Sequence, residues 1–412
     1  MAGLRARIPG ATFAGLGGTE MEAAGQQRIV HAEDVAHMGI TEVLRHAPRV
    51  YGAYRSLVAS LRRDLPALAI LIDFPDVNFR LAAHCRRLGI PVLWFVSPQL
   101  WAWKRKRLRW VQQRVDRMLV IFPFEEPFYR ARGVHAEFVG HPLATLPLPT
   151  ETREEYAVRA GALHQEQWNV ADGVLQSTPL ADWAFYKSMQ GIRYSLDPAK
   201  PWVALLPGSR RGEIFANLPY MIKTALLLGN AYEYLVPVAA TVSSETLTEM
   251  QEITGDELIG PNPPRITLVP DARAALFHAR ASVVASGTAT VQALTIGNPF
   301  VVVYRVSALT YRIAKRLVRY PPEIPAQPDA DGNLPIAMPN LIAGRRIVPE
   351  LINERFTAEN LAAALRPLLD DTTDRARMIA DLTEARSRLL PYPTPDPIDR
   401  VCAAAIELLQ SS

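Results

Sequence analysis

The stretch WVALLPGSRRGEI, residues 202–214, decides the fold. Trp202–Leu206 is an apolar run of strand length, too short for a helix. Pro207, Gly208 and Ser209 break it. From Glu213 to Leu228 the apolar residues return at helical spacing. A buried strand, a glycine turn and a helix in that order open a βα unit, the building block of a parallel sheet covered on both faces. Such a turn offers free backbone N–H groups at a helix start, which suit an anion. Gly208 lets the backbone approach closely, and Arg210 can make charge-assisted bonds to phosphate. An ordinary βα turn with a surface arginine fits the same letters equally well.

The rhythm extends in both directions. Downstream, Tyr234–Val238, Ile266–Val269, Ser282–Ala285 and Phe300–Tyr304 read as strands, and Ala272–His278, Thr288–Ile296 and Ala308–Val318 as helices. Upstream, Thr12–Leu16, Leu68–Asp73, Pro91–Val96 and Arg117–Phe122 read as strands, and Ile40–Arg63 and Phe79–Leu88 as helices. Residues 143–200 between the two runs are polar and weakly periodic. The expected organisation is α/β: a first domain over 1–150, a polar insertion over 151–200, a second domain over 201–390 and a closing helix over 391–412. Pro321–Pro339 reads as a long surface loop, and the tail from Thr357 reads as helix interrupted at Pro391–Pro397.

Composition excludes several classes. At 49% hydrophobic and 21% charged residues, the chain is globular rather than disordered. Its two cysteines, Cys85 and Cys402, have neither metal nor redox spacing, so a disulfide framework is not expected. A net charge of +4 over 412 residues is a weak footprint for nucleic acid. The start, Met1 to Arg5, has no hydrophobic signal segment, and no apolar run reaches the ~18 residues of a membrane span. The expectation is a cytoplasmic chain, soluble or held at a membrane surface.

Four further segments carry chemistry. Ser286-Gly287-Thr288 again joins a strand to a helix, and Gln292 shares the helix face of Thr288. Hydroxyls and N–H groups there suit a diphosphate or its ribose, although a plain helix cap is the commoner use. Two such turns in one half-chain point to a nucleotide site more strongly than either alone. Asp73, in IDFPDVN (72–78), ends a buried-type strand, where ligands of open α/β sheets sit. It is a candidate general base, while Asp76 reads as a turn residue. WAWKRKRLRW (101–110) combines Trp101, Trp103 and Trp110 with Lys104, Arg105 and Arg107. That mixture suits an anionic membrane surface, nucleic acid, or a solvated helix with buried tryptophans. Arg312–Arg319, flanked by Tyr311 and Tyr320, leaves the same choice. His141 follows a short strand and is a candidate ligand contact or a structural histidine. No His, Cys or carboxylate group has metal-ligand spacing.

These residues also match a family. MGITEVL (38–44), IDFPDVNF (72–79), VSPQLWAW (96–103), FPFE (122–125), FVGHP (138–142), LLPGSR (205–210), ASGTA (285–289) and PNLIAGR (339–345) resemble lipid-A-disaccharide synthase in order and spacing. The resemblance implies two Rossmann-like domains facing a cleft, the GT-B arrangement. It implies transfer of 2,3-diacylglucosamine from UDP to 2,3-diacylglucosamine 1-phosphate (lipid X), with inversion and without a metal or other cofactor. The UDP-sugar is a substrate, and the inner membrane's cytoplasmic face is the expected place of work. Carried onto this chain, Asp73 becomes the base for the acceptor 6-hydroxyl and Arg210 the diphosphate ligand. Gly208, Ser209, Ser286, Gly287, Thr288 and Gln292 become nucleotide-sugar contacts, and His141 and Asn340 cleft residues. A homodimer with exchanged C-terminal segments is also implied, the tail after Pro397 either meeting a partner or folding back on the first domain.

Two departures stand out. Family members have a strand and a Gly-Glu-Ala-Ser-Gly-Asp turn before the helix in which Met1 falls, so the first strand of the N-terminal sheet is expected to be missing here. The family has glutamate where this chain has Gln292. Both keep a catalytically impaired, lipid- or nucleotide-binding relative as an alternative. Another GT-B enzyme of UDP-N-acetylglucosamine is the other alternative, opposed by the segments at 97–103 and 339–345.

Overall fold

The structure is a computed structural model. It describes residues 1–32, 40–165, 196–239, 241–256, 263–307, 311–312, 315, 318–324, 326–393 and 396–411. Most of the expected helix at 308–318 and of the basic stretch within it, most of the insertion and the start of the MGITEVL segment lie outside these residues. The chain divides into two compact units: Met1–Thr145 with Leu317–Ile324 and Arg388–Ser412, and Leu146–Arg316 with Pro325–Ser387.

The second unit is built on six parallel strands: β7 (Trp202–Leu206), β8 (Glu233–Pro237), β9 (Arg265–Val269), β10 (Ala281–Ala285), β11 (Phe300–Tyr304) and β12 (Glu350–Ile352). Their order is β12-β11-β10-β7-β8-β9. The chain therefore leaves β7 toward β8 and β9, then returns to the other side of β7 to add β10, β11 and β12. The reversal falls between β7 and β10, which pair directly, Val203 opposite Ala281 and Leu206 opposite Val284. Every residue of β7, β8 and β10 is buried, as expected for strands with helices on both faces. Helices Arg211–Leu228, Ala272–His278, Thr288–Ile296 and Ala358–Leu369 supply those faces.

The first unit holds β3 (Ala69–Ile72), β4 (Val92–Phe95), β5 (Arg117–Val120) and β6 (Ala136–Phe138), parallel and in sequence order. A separate parallel pair, β1 (Phe13–Gly17) with β2 (Gln26–His31), precedes them. Among the described residues no strand joins the pair to the quartet. The last helix, Pro397–Ser411, folds back onto this unit: Arg400 donates to the Phe138 carbonyl at 2.8 Å, and Asp399 pairs with Arg7 at 2.8 Å.

Strands β2 and β12 carry no clear sequence signal. β2 reads QQRIVH, too polar for a buried-strand pattern, and β12 has three residues, one of them the buried Glu350. Glu350 is retained there because its carboxylate accepts from the N–H groups of Ile336 and Ala337 and from Asn340, and pairs with Arg346 at 2.7 Å.

Candidate active site

The two glycine turns meet at the sheet reversal of the second unit. Gly208 follows β7 and Ser286-Gly287 follows β10, adjacent strands at the reversal of strand order, the position where doubly wound sheets bind their ligands. Gly208 has φ +121° and Gly287 φ +149°, conformations that side chains rarely adopt. Ser209, Gly287 and Thr288 are exposed, and Gly208, Ser286 and Gln292 are partly so. All six are therefore open to a ligand. The Ser286 N–H is already used by the Val303 carbonyl at 2.9 Å, so that residue offers its hydroxyl. Arg210 caps the Arg211–Leu228 helix, and its side chain, 84% exposed, donates to Glu213 at 3.0 Å. Neither Glu213 nor Tyr304 is prominent in the sequence. Tyr304 is the exposed last residue of β11, after four buried ones; burial raises its hydroxyl's pKa, the Glu213 charge adds to the rise and Arg210 opposes it. That change from buried to exposed at a strand's carboxyl end is a signal the letters FVVVY do not contain.

In the first unit Asp73 lies just beyond β3, and the chain there is strained. Asp73 has φ 45°, Phe74 φ 43° and, beyond β4, Val96 φ 65°. Side-chain-bearing residues in this region cost about 1–3 kcal/mol each and persist only when their surroundings hold them. Here the Asp73 N–H donates to the Phe95 carbonyl at 3.0 Å, and Asn78 donates to the carbonyls of Ile72 and Asp73 at 3.2 and 2.7 Å. Pro75 starts the following helix with its φ already set. Trp94 donates its indole N–H to the Val96 carbonyl at 3.1 Å. Asp73 reaches solvent, yet the protein crowding around it pushes its carboxyl above the usual aspartate range, against the opposing pull of the Phe74 N–H. Asp76, the expected turn residue, pairs with Arg107 at 2.6 Å.

The tryptophan-rich segment divides into anchor and tip. Trp101 is 1% exposed, packed on Phe124 and Tyr320, and donates to Glu125 at 3.1 Å. Glu125 is wholly buried and accepts also from Ser97 at 2.6 Å and from the N–H groups of Ile121 and Phe122. Burial raises its carboxyl to about 7 despite those four donors. Trp103 is 51% exposed beneath the Lys104 ammonium, 4.1 Å from its ring centroid. Trp110 is half-buried against Phe79, with Arg107 and Arg114 over its ring. Arg105 is exposed and donates to the Arg319 carbonyl. Lys104 and Trp103 therefore face solvent, while Trp101 is core.

His141 and Asn340 are buried. His141 accepts the Leu143 N–H on Nδ1 at 3.2 Å, and burial lowers its pKa to about 4, so the ring is neutral with its proton on Nε2. Asn340 spends its whole amide on the chain. It donates to Val348 and Glu350 at 3.0 and 2.9 Å and accepts from Ile347 and Val348 at 2.7 and 3.0 Å. It braces the loop into β12 and has no capacity left for a ligand. Among the described residues no group of three or more His, Cys, Asp or Glu could hold a metal ion, and no helix is long and apolar enough to cross a membrane.

The fold is that of the GT-B glycosyltransferases. CalG4, the calicheamicin glycosyltransferase, superposes with a TM-score of 0.53 at 13% identity over 99% of this chain and 94% of its own. Arabidopsis thaliana UGT89C1, solved in complex with UDP, gives 0.56 at 13% identity over 98% and 94%. Within that class, the chain belongs to the lipid-A-disaccharide synthetase family, whose model matches residues 1–166 and 179–390. The lipid-A-disaccharide synthase of Acidobacterium capsulatum is 49% identical over 99% of this chain and 91% of its own length. That of Koribacter versatilis is 45% identical over 91% and 84%.

Proposed function

We propose that the protein transfers 2,3-diacylglucosamine from UDP-2,3-diacylglucosamine to 2,3-diacylglucosamine 1-phosphate, giving the β-1′,6-linked lipid A disaccharide 1-phosphate and UDP. The observation that carries this reading, within the family, is the pairing of β7 with β10. It sets the Gly208 and Ser286-Gly287 turns side by side at the sheet reversal. Gly208, Ser209, Ser286, Gly287, Thr288 and Gln292 bind the nucleotide-sugar, and Arg210 meets the diphosphate. As the sugar–phosphate bond breaks, its electron pair leaves on the β-phosphate oxygen, and the guanidinium offsets that charge with fixed donors. Asp73 accepts the proton of the acceptor 6-hydroxyl while that oxygen attacks the anomeric carbon from the opposite side, inverting it. The raised carboxyl of Asp73 makes it a better base than a free aspartate.

The two substrates carry acyl chains, so the enzyme works at an anionic membrane surface, the cytoplasmic face of the inner membrane. The exposed Trp103 with Lys104, Arg105 and Lys106 supports that placement, ring at headgroup depth and cations on the phosphates. A homodimer is part of the same reading. The test is direct: purified protein is mixed with both substrates in detergent, and products are followed by mass spectrometry. Disaccharide 1-phosphate and UDP in equal amounts support the reading. Folded protein that binds UDP and forms no product identifies a non-catalytic relative instead.

A further inference from the structure

Glu213 belongs to none of the roles above, yet its side chain lies within the proposed diphosphate site. It is the third residue of an 18-residue helix, Arg211–Leu228, where the helix dipole favours a carboxylate. The carboxylate accepts from Arg210 Nη1 at 3.0 Å. It also folds back over the turn so closely that a Cβ added to Gly208 would stand 2.8 Å from Glu213 Oε2. The β7 turn and the helix after it thus bring Arg210 and Glu213 together, and the negative charge at the turn comes from the chain itself.

A diphosphate at the Gly208 turn needs the same guanidinium. Two anions on one arginine repel each other. The pair is exposed, and exposed ion pairs are weak enough to yield. We propose that Glu213 is a positioning residue that holds Arg210 over the Gly208 turn and is displaced from it by the diphosphate, thereby setting the affinity for UDP without touching the uridine. This rests on the reading of Gly208–Arg210 as the diphosphate site.

Calorimetric titration of UDP and of uridine into the full chain tests it, using wild type, R210A, E213Q and R210A/E213Q. E213Q is expected to bind UDP about two- to fivefold tighter, the range an exposed pair can withhold, with uridine unchanged. In the R210A background the gain should vanish, since Glu213 acts through Arg210. A residue with a purely structural role would shift both ligands and would add to R210A. If E213Q does not fold, E213D keeps the charge at the helix start but withdraws it from Arg210, and should also tighten UDP. UDP binding by R210A equal to wild type overturns the site reading and this inference with it. Weaker binding by R210A without tighter binding by E213Q or E213D overturns the inference alone.

Discussion

At the carboxyl edge of the first unit's sheet the chain turns through Asp73, Phe74 and Val96, side-chain-bearing residues held at positive φ. At the corresponding edge of the second unit it turns through Gly208 and Gly287. The first arrangement aims side chains and stores strain to do so, with Asn78 and Trp94 bracing the carbonyls beneath. The second removes side chains, which leaves room for a ligand to approach backbone N–H groups and the exposed Arg210. A proton acceptor needs a fixed direction, whereas a diphosphate needs an unobstructed concave surface. With the roles proposed for them, the two edges answer those different needs.

Removing the aimed carboxylate should have the largest effect. D73N is expected to lower kcat about 10²- to 10⁴-fold, the range of a lost general base, with UDP affinity unchanged by titration calorimetry. In wild type the acid limb of the rate profile should fall as Asp73 takes up its proton. Because burial raises that carboxyl, the midpoint should lie above the ordinary aspartate range. A limb at or below that range would detach Asp73 from the chemistry. R210A comes next: about 10²- to 10³-fold in kcat, as for a donor to developing charge, together with weakened UDP binding.

The backbone predictions are smaller. G208A places a Cβ against Glu213 at φ +121° and should cost about 1–3 kcal/mol, read as a lower urea midpoint or weaker UDP binding. F74G should do the opposite at the other edge. It relaxes a left-handed residue that is itself half-exposed, so stability should rise by up to about 1 kcal/mol while kcat falls. A loss of stability in F74G would show that the Phe74 contacts outweigh the strain, and the contrast between the edges would weaken.

Much of this was legible in the letters. The strands at Trp202–Leu206 and Phe300–Tyr304 were read to the residue, because a buried parallel strand is a bare apolar run bounded by breakers. The two glycine turns were legible for the same reason. Their adjacency was not, since it depends on strand order, which no local pattern encodes. Nor was the strain at Asp73 and Phe74, because nothing in IDFPD marks a positive φ. Trp101 and Trp103 look alike in sequence and part company only when Glu125, twenty-four residues away, claims the indole of the first. Asn340 shows the converse: a segment specific to the family turned out to brace a loop.

The division of labour between the edges is tested most directly by titrating UDP into wild type, D73N and R210A under one set of conditions. D73N should bind as wild type does, and R210A should lose about tenfold or more, the worth of a charge-assisted hydrogen bond. Equal losses in both variants, or none in R210A, would contradict the account.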